Sequence, residues 1–217
     1  MSHGGRATLF DASRCIACRS CQVACKQWNG LGAESPTPEN RGGYEHPHDL
    51  SATQWLLIHF REGERADGSL FWHFCRSSCR HCVDAPCRQK ARDKRAVVVD
   101  EETGAVLFTE HSRDEDFAAI LRACPYHIPR RGPGGALFKC TMCVDRLHRG
   151  EQPACDKACP TGANVHGPRD EILALARERL SALRLRYPNA AALDLHETRL
   201  ILLLADRESR YKTGVER

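Results

Sequence analysis

Cysteine is the residue whose spacing carries chemistry in this chain, because a thiolate binds zinc and iron–sulfur clusters alike. Of 13 cysteines in 217 residues, Cys15, Cys18, Cys21 and Cys25 read C-x2-C-x2-C-x3-C. Cys140, Cys143, Cys155 and Cys159 read C-x2-C-x11-C-x3-C and run into Pro160. Cys79, Cys82 and Cys87 read C-x2-C-x4-C, and Cys124 stands alone before Pro125. The odd count argues against a pure disulfide framework. Zinc is the competing reading, since Cys140, Cys143, Cys155 and Cys159 could close a four-thiolate site in a zinc-stapled binding module. The tight three-cysteine loop at 15–21 has no simple zinc role.

In two-cluster ferredoxins the first three cysteines of a run hold one [4Fe–4S] cluster and the fourth crosses to the other. Applied here, the crossover gives one set of Cys15, Cys18, Cys21 and Cys159, and a second of Cys25, Cys140, Cys143 and Cys155. Everything between them is then an insertion that reads as a second, degraded unit. Ala91 stands where its first run needs a fourth cysteine. Stepping back from Cys124 at ferredoxin spacing finds Asp114, Phe117 and Ile120. By the crossover rule those four losses belong to one cluster, and the survivors Cys79, Cys82, Cys87 and Cys124 form one complete third set. Three [4Fe–4S] clusters on twelve cysteines are therefore expected, with Cys75 left over as a free thiol or an alternative to Cys79. His81, inside a cysteine loop, suits a hydrogen bond near a cluster better than an iron bond. A relay survives loss of an end centre, so the missing set was terminal and the third set is the expected exit.

The elements that must position these residues can be read around them. Ala7–Phe10 reads as a strand entering the first loop and Arg19–Trp28 as a helix after it. Residues 29–50 look irregular. Gln54–Phe60 with Leu70–Phe74, and Ala96–Val99 with Ala105–Phe108, read as hairpins around Asp67-Gly68 and Thr103-Gly104. Asp114–Ala123 and Thr141–Arg149 read as helices, with a Pro/Gly linker at Arg130–Gly135. Pro168 opens the strongest helix, Arg169–Tyr187, with Ile172, Leu175, Ala176, Leu180, Leu183 and Leu185 as its apolar stripe. Arg199–Leu204 reads as a closing strand. The expected fold is α+β: two bacterial ferredoxin-like units, the second inserted in the first, plus a C-terminal helix and strand. Residues 1–50 and 136–168 would be the halves of the first unit, 51–135 the insertion and 169–217 a packing or docking tail.

Hydrophobic residues make up 41% of the chain and aromatics 6%, a thin core for its length that metal–thiolate bonds would reinforce. The formal charge of +4 counts cysteine as neutral. A [4Fe–4S] core with four thiolates carries about −2, and three of them outweigh that excess. Arg14, Arg19, Lys26, Arg80, Arg88, Lys139 and Lys157 then read as counter-charge, or as a solvated basic face. A pI near 8.4 is weak reason to expect nucleic acid, and none is expected. Met1–Phe10 lacks the apolar stretch of a signal peptide. The longest aliphatic run, Leu200–Leu204, is far short of the about 20 residues a membrane helix needs. No nucleophile–base pair, phosphate loop or carboxylate pair stands out, so no catalytic residue is expected and the chain reads as an electron wire.

The segments CIACRSCQVACKQWNG, CRHCVDAPC, ACPYHIPR and KCTMCVDRLHRGEQPACDKACPTGA resemble the iron–sulfur beta subunits of molybdenum and tungsten enzymes. The resemblance is greatest to the small subunit of soluble molybdenum- or tungsten-dependent formate dehydrogenases, and it runs from about Ala7 to Tyr211. It implies the three-cluster form, without the fourth ligand set or the membrane helix of membrane-bound relatives. It also implies a large catalytic partner holding a bis-pterin metal centre and a further cluster. Formate would be oxidised, or carbon dioxide reduced, on that partner. Electrons would pass through this chain to an acceptor such as a cytochrome. The resemblance further implies co-export to the periplasm on the partner's twin-arginine signal, a cytoplasmic enzyme being the alternative. Beta subunits of polysulfide, nitrate or sulfoxide reductases, and a free-standing ferredoxin carrier, remain alternative readings.

Overall fold

The computed structural model describes residues 4–33 and 44–211. The irregular connection expected over 29–50 is thus described only at its two ends, and residues 34–43, like 1–3 and 212–217, lie outside the described residues. The chain opens on β1 (Arg6–Asp11) and α1 (Ser20–Trp28), then folds the hairpin β2 (Leu56–Glu64) and β3 (Leu70–Ser78). After α2 (Pro86–Lys90) come β4 (Val97–Val99) and β5 (Val106–Phe108), α3 (Phe117–Ala123), and the minimal pair β6 (Arg130–Arg131) and β7 (Leu137–Phe138). Two single-turn helices, α4 (Val144–Leu147) and α5 (Ala154–Lys157), precede β8 (Asn164–Pro168) and α6 (Arg169–Arg184). β9 (Ala191–Leu193) and β10 (Leu200–Leu204) close the chain. This is a mixed α/β molecule of small sheets and few helices.

One four-stranded sheet organises it, in the order β8-β1-β10-β9. β1 runs parallel to β10 and antiparallel to β8, with Thr8 opposite Leu200 and His166. Strand side chains alternate between faces, and here both faces are covered. Ala7, Leu9, Ile201 and Leu203 meet Ile172, Leu173 and Ala176 of α6 on one side. Phe10, Leu200, Leu202 and Leu204 meet Cys21, Cys25 and Cys155 on the other. Burying each large aliphatic side chain in these layers contributes roughly 1.5–3 kcal/mol. The C-terminal helix therefore backs the sheet, and the cysteines lie on the opposite face.

Several element bounds differ from expectation for local reasons. The helix expected over 141–149 is only Val144–Leu147, because Met142 and Cys143 take left-handed backbone in the preceding turn. The helix expected over 114–123 starts at Phe117. Asp116 caps it, its carboxylate accepting from Ala119 N at 3.1 Å, and Glu110–Asp114 forms a separate 3-10 turn. Leu185 does not join the apolar stripe of α6, which ends at Arg184, and is 90% exposed. Leu173 takes part instead. β8 and β9 were not expected, being short and bounded by Gly and Pro.

Candidate metal centres

The Cys-x2-Cys loop that opens each run is built on the same turn. Ala17, His81 and Met142 occupy the third position with φ of 53°, 48° and 60°. Left-handed backbone is unfavourable for these residues. In exchange their N–H groups point at the sulfur two residues back: Ala17 at Cys15 (3.4 Å), His81 at Cys79 (3.4 Å) and Met142 at Cys140 (3.3 Å). The two Cys-Pro corners also match, with His127 and Gly162 in left-handed conformation three residues after Cys124 and Cys159. The Asn164 N–H completes the second corner, donating to Cys159 Sγ at 3.4 Å.

These loops bring the twelve cysteines together as three quartets. Cys25, Cys140, Cys143 and Cys155 line one cavity, together with Cys79. Cys79, Cys82, Cys87 and Cys124 line another. Cys15, Cys18, Cys21 and Cys159 lie within electrostatic reach of one another. Cys21 and Cys25 are one turn apart on α1, about 6 Å along its axis, and Cys25 lines the cavity of Cys140, Cys143 and Cys155 while Cys21 lies near Cys15 and Cys159. Cys79 lines the second cavity as well as its own, so the second and third quartets adjoin. Cys75 lies outside all three. It sits on β3, partly buried, its Sγ 3.8 Å from the Arg76 carbonyl.

Burial pushes most of these thiols up, Cys21, Cys82 and Cys143 to about 12 and Cys87 to about 11. Burial works against ionisation of Cys159 too. The Asn164 N–H and the Thr161 hydroxyl and N–H together outweigh it and hold that thiol below its ordinary value. Metal binding would displace the protons. Arg76, which the sequence reading passed over, is the buried cation of this region. Its guanidinium lies 3.6 Å from Cys155 Sγ and donates to Asn164 Oδ1 at 2.7 Å, with Asp156 at 3.5 Å. Its place beside Ser78 on a strand feeding a cysteine loop was the available signal. Lys139 is also buried; it lines the third cavity and its ammonium donates to the carbonyls of Val106 and Cys140. Arg14, Arg88 and Lys157, by contrast, are exposed.

Of the four positions that lack cysteine, three pack together and one is exposed. Ala91, Ile120 and Phe117 pack into one apolar cluster with Val97, Val106 and Leu137, against which Cys87 also rests. Beside them the buried Glu115 carboxylate accepts from the N–H groups of Arg92 and Asp93 at 3.0 and 2.7 Å. Asp114 is exposed and offers its carbonyl to Arg92.

The quartets suit iron–sulfur clusters. Among the described residues no three His, Cys, Asp or Glu side chains converge closely enough to hold a single metal ion. In two of the quartets the four sulfurs line a common cavity and do not converge on one point as in a zinc knot with bonds of about 2.3 Å. N–H groups already aim at four of the sulfurs. In addition, the buried His81 Nε2 on the wall of the second cavity has no partner among the described residues. A family model described as a 4Fe-4S dicluster domain matches residues 70–169, which places the chain in the class of iron–sulfur proteins. It is 41% identical over 212 residues to formate dehydrogenase 2 subunit beta (cytochrome c-553) of Nitratidesulfovibrio vulgaris, covering 95% of this chain and 96% of that one. It is 41% identical to the formate dehydrogenase subunit beta of Megalodesulfovibrio gigas, covering 94% and 95%. With the formate dehydrogenase-O iron-sulfur subunit of Escherichia coli it shares 38% over 190 residues, 87% of this chain and 62% of that protein. The chain belongs to the family of formate dehydrogenase beta, or iron–sulfur, subunits.

Proposed function

We propose that this chain is the electron-transfer subunit of a formate dehydrogenase and relays electrons through three [4Fe–4S] clusters. Cys15, Cys18, Cys21 and Cys159 would hold the first, Cys25, Cys140, Cys143 and Cys155 the second, and Cys79, Cys82, Cys87 and Cys124 the third. When bound, each cluster supplies one-electron redox chemistry at nearly fixed geometry. The residues of the chain hold the thiolates, aim N–H groups at sulfur and exclude water. The observation that carries the reading is the meeting of sequence-distant cysteines around two cavities, each lined by one whole quartet. In this reading the unit over 51–135 lies inside the first, and the apolar packing around Ala91, Phe117 and Ile120 fills the room of a fourth cluster.

The order of transfer follows from adjacency. The first quartet borders the second through α1, and the second borders the third through Cys79. Cys18 is exposed, and Ile16 and Val23 beside it are 62% and 65% exposed, an apolar rim suited to a large protein partner. That partner is a catalytic subunit with a bis-pterin molybdenum or tungsten centre and a further cluster, where formate is oxidised or carbon dioxide reduced. Electrons enter at the first cluster and leave from the third to a cytochrome or similar redox protein. Among the described residues no helix is long and apolar enough to cross a membrane. The complex is assigned to the periplasm, carried by the partner's export signal, and cell fractionation tests that assignment. Anaerobic purification of the complex tests the rest: about twelve irons per chain, a brown colour and a co-purifying pterin subunit are expected. Zinc without visible absorbance would overturn the reading, as would a structure with the third quartet nearest the catalytic subunit.

A further inference from the structure

Ala17, His81 and Met142 hold the same place in three equivalent loops, but only His81 carries a donor on its side chain. Its backbone belongs to the third quartet, through the bond to Cys79 Sγ. The residue as a whole, 2% exposed, instead lines the cavity of the second. Nδ1 accepts the N–H of Val106 at 3.0 Å. A ring nitrogen that accepts carries no proton, so the imidazole is neutral and its proton sits on Nε2. That Nε2–H is buried and meets no acceptor among the described residues. Turning the ring over would give up the Val106 bond and leave another buried donor unmet, so the orientation is fixed.

Sulfur is the acceptor this arrangement lacks. Resting on the cluster reading above, we propose that His81 donates Nε2–H to a sulfur of the cluster held by Cys25, Cys140, Cys143 and Cys155. The bond raises that cluster's reduction potential. A hydrogen bond to sulfur stabilises the more negative, reduced state more than the oxidised one. The same residue then touches both the second and the third centre, one through its ring and one through its backbone. Arg76 reaches the second cavity too, but shares its charge with Asp156 3.5 Å away.

The test is a redox titration of the anaerobic holoprotein followed by electron paramagnetic resonance. His81→Leu should keep about twelve irons and shift the midpoint of one cluster downward while the other two stay in place. His81→Gln, whose amide can accept from Val106 and donate at its other end, should restore most of the shift. Unchanged midpoints in a fully loaded His81→Leu protein would overturn the proposal. Should that variant lose iron, wild-type protein labelled with 15N-histidine decides: pulsed resonance of the reduced second cluster should show a histidine nitrogen coupling, and its absence overturns the proposal. Wild-type protein without iron–sulfur absorbance would instead sink the cluster reading itself, and this inference with it.

Discussion

Cys21 and Cys25 share one face of α1 but lie beside different cysteines, so the proposed assignment makes substitution selective. Cys25→Ala is expected to damage the cluster of Cys140, Cys143 and Cys155 and to spare the one beside Cys15; loss of both signals in the resonance spectrum would contradict the pairing. Cys75→Ala is expected to leave the iron content unchanged, and a loss of about four irons would make Cys75 a ligand in place of Cys79. His166 gives a prediction on acidity. Burial holds this ring neutral down to about 4, against an ordinary 6.5, while Arg6 donates to its Nε2 at 3.3 Å and Thr8 Oγ1 lies 3.1 Å from Nδ1. As pH falls from 6.5 to about 4 the unfolded chain binds a proton that the folded ring refuses, so stability declines across that window. His166→Asn should flatten the slope of melting temperature between pH 7.5 and 5, and an unchanged slope would refute the argument. The cysteine loops could be read from spacing, because their turns act over two or three residues. Arg76 could not, because its role depends on a strand bringing it beside Cys155, 79 residues on.

At the scale of elements, α2 and α3 pack the positions where ferredoxin spacing would put cysteine. Ala91 and Ile120 are 3% and 0% exposed, and Phe117 packs with them. Ile120→Ala should lower stability by about 2–5 kcal/mol through the cavity it leaves, with iron content unchanged. A loss of iron together with stability would show that α3 positions Cys124 more directly than its packing suggests. The sequence pattern located α6 and the hairpin β2–β3 because each carries its own periodicity and turn. It placed Leu200–Leu204 as a strand but not in the middle of a sheet, since five consecutive aliphatic residues do not reveal which neighbours they meet. The 3-10 break before Asp116 and the short α4 were hidden for a similar reason: capping and N–H···S turns override helix propensity there.

At the scale of the molecule, each quartet ties segments far apart in the chain, and cluster binding becomes folding free energy where the site is not preformed. Removing iron with a chelator should therefore abolish cooperative unfolding of the isolated subunit, and an apo form with the holoprotein's melting transition would contradict this. The sheet carries one more consequence. Its two central strands, β1 and β10, pair Thr8 with Leu200 and Leu9 with Ile201, across most of the described chain. A ribosome adding about 5–20 residues per second needs roughly 10–40 s to pass from one to the other. During that interval Leu9 and Phe10 have no parallel neighbour, and the nascent chain presents them to chaperones. Parallel pairing over such a separation is also slow after release. All twelve cysteines of the quartets precede Leu200, so the sheet face against which Cys21, Cys25 and Cys155 pack is completed only after they are made.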